Sequence, residues 1–141
     1  MQTELVKPTQ LVKTLQTSRQ YTLAVAEAMP EKDYEFKPAG GGWNFRELLQ
    51  HIAYGIEWWE DNYIKGNKTD WAPPATKLKK NQVIASLNDA YNRLKKTMES
   101  EKLTPDAVHG FYTTLDHITH HRGQAVLHLR IHGIEPPEYT Y

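Results

Sequence analysis

The chain reads as all-α: a four-helix bundle with a long crossover-type loop between its second and third helices. Three observations predict this. Apolar residues recur at three- and four-residue steps through four stretches of roughly twenty residues each, the period of a helix with one buried face. Clusters of glycine, proline and asparagine separate these stretches, and no run alternates apolar and polar residues as a half-buried strand would. At 141 residues, one domain spanning 1–141 can bury roughly two thirds of its unfolded surface and hold a single core without staples.

The first helix is expected over residues 9–28, where Leu11, Leu15, Thr22, Val25 and Met29 share a face. Pro8 and Thr9 suit its start, and Pro30 ends it. Lys37-Pro38-Ala39-Gly40-Gly41-Gly42 then turns the chain toward Asn44, an N-cap with Glu47 three residues on. The second helix, 45–65, carries the cleanest stripe: Phe45, Leu48, Leu49, Ile52, Ile56, Trp59 and Tyr63. Gly66 and Asn67 stop it. Residues 67–80, with Pro73-Pro74 at their centre, are too broken for regular structure and long enough to cross one end of the bundle. The third helix, 81–100, buries Val83, Ile84, Leu87, Tyr91, Leu94 and Met98. Thr104-Pro105-Asp106 reads as a turn, and the last helix as 110–132, closed by Gly133 and Pro136-Pro137.

Composition excludes several functions. With 17 basic and 17 acidic side chains, the broad positive field of a nucleic-acid or anionic-membrane binder is missing. The chain starts without the apolar run of a signal peptide, and nothing approaches a membrane span; a cytoplasmic protein is the expectation. There is no cysteine, so disulfides, thiolate metal sites and a cysteine nucleophile are excluded, and histidine and carboxylate are the strong metal ligands left.

The run Asp116-His117-Ile118-Thr119-His120-His121-Arg122-Gly123-Gln124 is the most informative in the chain. His117 and His121 lie one helical turn apart and point the same way, so one metal ion can bind both. On the last helix the core stripe is Phe111, Leu115, Ile118, Ala125, Val126 and Leu129; His117, His121, Gln124 and His128 form a second stripe beside it. His120 points to solvent, and His128 lies about 10 Å along the axis from His121, beyond one mononuclear site. On the second helix His51 flanks the core in the same manner, near Gly55, Tyr54 and Trp58. The depths of His51, His117 and His121 along their helices match best if those helices run parallel. Among seven histidines, one His-x3-His pair is an ordinary occurrence, and the spacing alone fits solvated imidazoles as well as ligands. The shared face, the third histidine and the lack of cysteine favour a metal. Arg122 falls in the core stripe, where it pairs with a buried carboxylate or faces a subunit interface or an anionic ligand.

These motifs also carry a resemblance. His117 to Gln124, followed by Leu129-Arg130 and Gly133, resembles the closing helix of the DinB/YfiT-like family of metalloenzymes. Gly42-Trp43-Asn44-Phe45-Arg46-Glu47-Leu48-Leu49-Gln50-His51-Ile52-Ala53 is similar to that family's second helix. The resemblance implies a four-helix bundle with a divalent metal on His51, His117 and His121, the three histidines that the face geometry brings forward. It also implies a homodimer and, by analogy with some relatives, a thiol-dependent transferase or isomerase using a low-molecular-weight thiol. The chain is shorter than usual members between helices two and three and before helix four, so substrate contacts from those loops do not transfer.

Three imidazoles leave positions open on the metal, which suits a transferase or hydrolase acting on a small molecule. Zinc, nickel, iron and manganese all accept such ligands. Gln124 is placed to orient a ligand, Tyr54 and Trp58 to wall a substrate pocket, and Glu57 and Glu60 are near enough to be considered as bases. The alternative is a non-catalytic metal-binding or dimeric stress-associated helical module.

Overall fold

The computed structural model describes residues 7–100 and 102–141. Its helices are α1 (Pro8–Ala28), α2 (Phe45–Trp59), α3 (Lys80–Ser100) and α4 (Pro105–Ile131), with a 3-10 turn at Glu31–Asp33 and a π-turn at Glu60–Ile64 that prolongs α2. No strand occurs among the described residues, as the absence of alternation predicts.

α2 packs against α3 and α4, and α1 packs against the same two helices, so α1 and α2 are diagonal. Contacts between side chains fix the directions. Lys80 reaches Glu27 while Arg19 reaches Asn88, so α1 and α3 are antiparallel. Glu57 faces Arg93 and Glu60 faces Thr97, so α2 and α3 are parallel. His51 meets His117 and His121, while His128 meets the Trp43 carbonyl. α2 and α4 are therefore antiparallel, which corrects the parallel pairing expected from histidine depths. The error began at the helix start. Thr104 is an N-cap whose hydroxyl accepts from Ala107 N–H at 3.1 Å, and Pro105 takes the first helical position where its missing N–H costs nothing. Counting depth from Gly110 therefore began a turn too late.

Because α2 and α3 are parallel neighbours, the chain between them must retrace the length of α2. Residues 65–79 do so along its flank, not across an end of the bundle as the sequence suggested. A segment of this length reaches about 50 Å extended, ample for a helix of roughly 30 Å. Arg46, Gln50, Tyr54, Trp58 and Asn62, spaced by four, form one row on α2 that ties it down. Arg46 Nε donates to Leu78 O at 2.7 Å, and Gln50 Nε2 donates to Thr76 O at 2.7 Å. Ala72 N–H donates to the Tyr54 hydroxyl at 2.8 Å, and Trp58 Nε1–H to Asp70 O at 3.2 Å. Asn62 Oδ1 accepts from Thr69 N–H at 2.8 Å.

Most of the expected stripe residues form the core: Leu11, Leu15, Val25, Phe45, Leu49, Ile52, Ile56, Leu87, Leu94, Phe111, Ile118 and Leu129 are all at most 1% exposed, while Ile84, Leu115 and Val126 are only partly buried against it. Asn44 and Glu47 form the anticipated reciprocal cap, at 2.8 and 3.2 Å. Gly133 closes α4 with φ +79°, and Ile134 N–H bonds back to Leu129 O at 2.9 Å. Tyr63 departs from expectation. The π-turn inserts an extra residue into the turn, with Lys65 N–H reaching Glu60 O at 2.9 Å, and this shifts the helical phase. Tyr63 thus leaves the core stripe and is 52% exposed, while Glu60 is fully buried.

Candidate metal centre

His51 projects from the middle of α2, and His117 and His121 from successive turns of α4. Because the two helices are antiparallel neighbours, all three rings meet at one level. His51 Nε2 lies 2.9 Å from His117 Nε2 and 3.1 Å from His121 Nε2. This is the one group of three or more metal-capable side chains among the described residues. His120 is exposed, as expected, with its ring centre 4.8 Å from that of His121. His128 stands apart: it is buried, with Nε2 2.9 Å from Trp43 O and Nδ1 2.8 Å from Gln124 O. It ties the loop before α2 to α4.

Burial holds His51 and His117 neutral. Both have pKa values lowered from 6.5 to about 4, first by desolvation and then by the neighbouring imidazoles, chiefly His121. His121 is lowered by the same desolvation, against its hydrogen bond to Gln124, which raises it. Gln124 Oε1 accepts from His121 Nδ1–H at 2.8 Å, which leaves the His121 Nε2 lone pair directed at the other two rings. Gln124 thus orients a histidine.

Tryptophans enclose the rings. Trp43 lies 4.4 Å from His51 and 5.6 Å from His121, ring centre to ring centre; Trp71 lies 5.4 Å from His51; Trp59 stacks on His117 at 4.5 Å. Trp71 comes from the crossover and also packs edge-on against Tyr54 and Trp58, at 4.7 and 5.4 Å. Its place at the site was not legible in the sequence, since a loop aromatic has no periodicity to locate it. The packing of two aromatic residues one turn apart on α2, Tyr54 and Trp58, is the trace it leaves.

Beside His51 is a cavity of about 540 Å³ between α2 and the crossover, lined among others by Trp43, Gln50, Tyr54, Glu57, Pro74 and Leu78. Tyr54 lines it, whereas Trp58 and Gln124 do not: Trp58 anchors the crossover and Gln124 fixes His121. Neither glutamate considered as a base approaches the imidazoles by a hydrogen bond. Glu57 pairs with Arg93 at 3.4 Å, and Glu60 accepts from the Thr97 hydroxyl at 2.7 Å and faces Lys65 at 3.6 Å. Arg122 is buried, and among the described residues no carboxylate lies within pairing distance of it. It donates to Thr22 Oγ1 at 3.2 Å and Ser18 O at 3.3 Å, and its guanidinium sits 4.8 Å from the Tyr21 ring centre.

No described helix is long and apolar enough to cross a membrane. Comparison with known proteins agrees with the helical order. The fold is similar to that of a crystallographically solved DinB-like protein from Bacillus cereus ATCC 10987, with a TM-score of 0.79, 15% identity, and 93% of this chain and 95% of that chain covered. No curated protein matches the chain. The sequence model of the DinB superfamily matches residues 14–125, a span that holds all three converging histidines, and the chain therefore belongs to the DinB superfamily.

Proposed function

We propose that this chain is a divalent-metal-dependent enzyme acting on a small molecule at an open three-histidine site, as a thiol-dependent transferase or a hydrolase. The carrying observation is that His51 Nε2 lies 2.9 Å from His117 Nε2 and 3.1 Å from His121 Nε2, with one ring nitrogen of each histidine within 4.8 Å of the others. Imidazole nitrogens bound to one ion at about 2.0–2.1 Å lie about 2.9–3.4 Å apart for ligand angles between a right angle and the tetrahedral value. The donor set fits. With all three Nε2 atoms unprotonated, their lone pairs are free to bind one cation. His51, His117 and His121 would hold the ion, with zinc, nickel, iron and manganese as candidates. When bound, such an ion lowers the pKa of a coordinated water or thiol toward neutrality.

The chain's own groups then have defined tasks. Gln124 keeps the His121 tautomer, and Trp43 and Trp71 restrict water around the imidazoles. The cavity beside His51 is large enough for a small-molecule substrate. There the Tyr54 hydroxyl accepts from Ala72 N–H and retains its own hydrogen for an acceptor on the substrate. With no cysteine in the chain, any thiol comes from a low-molecular-weight cosubstrate. In this proposal the protein is cytoplasmic, as its composition suggests, and pairs as the homodimer that the resemblance implies; sedimentation showing the mass of one chain at micromolar concentration would remove the dimer.

The alternative, a non-catalytic metal-binding or stress-associated module, has one observation in its favour. Glu60 is buried against Thr97, and Glu57, although it lines the cavity, pairs with Arg93, so neither forms a hydrogen bond to the imidazoles. Elemental analysis of the purified protein and of His117→Ala tests the metal. The expected result is near one ion per chain in the wild type and a clear loss in the variant. A folded wild type that holds none, even after incubation with zinc, nickel, iron or manganese, would sink the proposal.

A further inference from the structure

Two of the converging imidazoles, both on α4, are held in different ways. His121 is oriented by its hydrogen bond to Gln124. His117 Nδ1 is buried and has no hydrogen-bond partner among the described residues. A metal-ligating histidine ordinarily gives its other ring N–H to a carboxylate, carbonyl or water, and that bond sets the ring's plane and tautomer. At His117 the protein uses packing instead.

The packing comes from the helix opposite. A Cβ placed on Gly55 would lie 2.5 Å from His117 Cε1 and 2.8 Å from Nδ1, so any side chain there would collide with the ring. One turn further on, the Trp59 indole stacks on the imidazole at 4.5 Å with 20° between planes. His51, Gly55 and Trp59 are spaced by four and form one row of α2. A single row therefore carries one imidazole of the site and encloses another. Glycine inside a helix is unfavourable relative to alanine, and the close approach of His117 is the reason for it here.

We infer that Gly55 and Trp59 are positioning residues for His117, forming a slot that holds its Nε2 toward His51 and His121 in place of a hydrogen bond. This rests on the metal reading above. The slot acts on one ligand and leaves the other two untouched. It also leaves His117 without an acceptor to raise its basicity, so the ligands differ in donor strength.

Cobalt(II) is the probe, followed by visible absorption and calorimetry in wild type, His117→Ala, Gly55→Ala, Trp59→Leu and Trp59→Phe, with circular dichroism to check folding. Gly55→Ala and Trp59→Leu are expected to weaken cobalt binding by about tenfold to a hundredfold and to alter the visible spectrum. Trp59→Phe, which keeps an aromatic face, is expected to restore both. In metal-free wild type the His117 ring protons should resonate upfield under the indole ring current and move downfield in Trp59→Leu. Should Gly55→Ala fail to fold, the two Trp59 variants decide. Wild-type cobalt binding and spectra in Gly55→Ala and Trp59→Leu, alongside loss in His117→Ala, would overturn the slot and leave the metal site standing. A wild type that takes no cobalt would overturn the metal site and the slot together, and an unshifted His117 signal would overturn the slot alone.

Discussion

His51 and His117 show how burial sets the chemistry of single residues. Each has its pKa lowered from 6.5 to about 4, first by desolvation and then by the neighbouring imidazoles, chiefly His121. In the unfolded chain both return to the ordinary value. Between these limits the unfolded state binds more protons than the folded one, so stability falls as the pH is lowered through that window and is fully present above it. For the metal-free protein, the urea midpoint should therefore drop between about pH 6.5 and about pH 4. The drop should be smaller in a His51→Ala, His117→Ala double variant. An equal drop in that variant would show that other groups control acid stability. At this scale the sequence was informative about identity and face: His51, His117 and His121 were separable from His120 and His128 by helical angle and rise. It was silent about Trp71, and it overvalued Trp58 as a pocket wall, because angle on a helix does not say which loop lies over it.

At the scale of elements, the sequence placed those ends that local chemistry decides. The Asn44 and Glu47 cap, the Pro8 start and the Gly133 stop are each satisfied by backbone groups within a few residues. Two element features were missed for a physical reason. Pro105 breaks a helix interior but begins one equally well, and only the N-cap bond of Thr104 distinguishes the cases. The π-turn after Trp59 has no local signature; it is sustained by the packing of Glu60 against Thr97 and of the Tyr63 backbone against Gly110, whose Cβ would lie 2.6 Å from Tyr63 O. The row from Arg46 to Asn62 makes a testable element of the crossover. Tyr54→Phe removes the acceptor for Ala72 N–H, a loss of about 0.5–1.5 kcal/mol for a hydrogen bond of this kind. Limited proteolysis should then cut faster within residues 67–79 while the far-UV spectrum is retained. Unchanged cleavage would mean that Trp71 and the other hydrogen bonds of the row hold the segment without the Tyr54 bond.

Across the whole molecule, the apolar core runs through all four helices and the histidines sit at its margin. Removing metal should consequently leave the bundle folded: chelation is expected to preserve helical circular dichroism and lower the melting temperature only through lost binding energy. Collapse of the helical signal on chelation would favour the structural role for the metal. The sequence by itself determined the helical class, the core stripes and three histidines on core-flanking faces, since these follow from a 3.6-residue period and from local caps. Only the tertiary structure decided that α2 and α4 are antiparallel, that the crossover lies along α2 with Trp71 against His51, and that Gly55 makes room for His117. Helix direction and loop path depend on contacts between residues distant in the chain, and no periodicity within one segment encodes them.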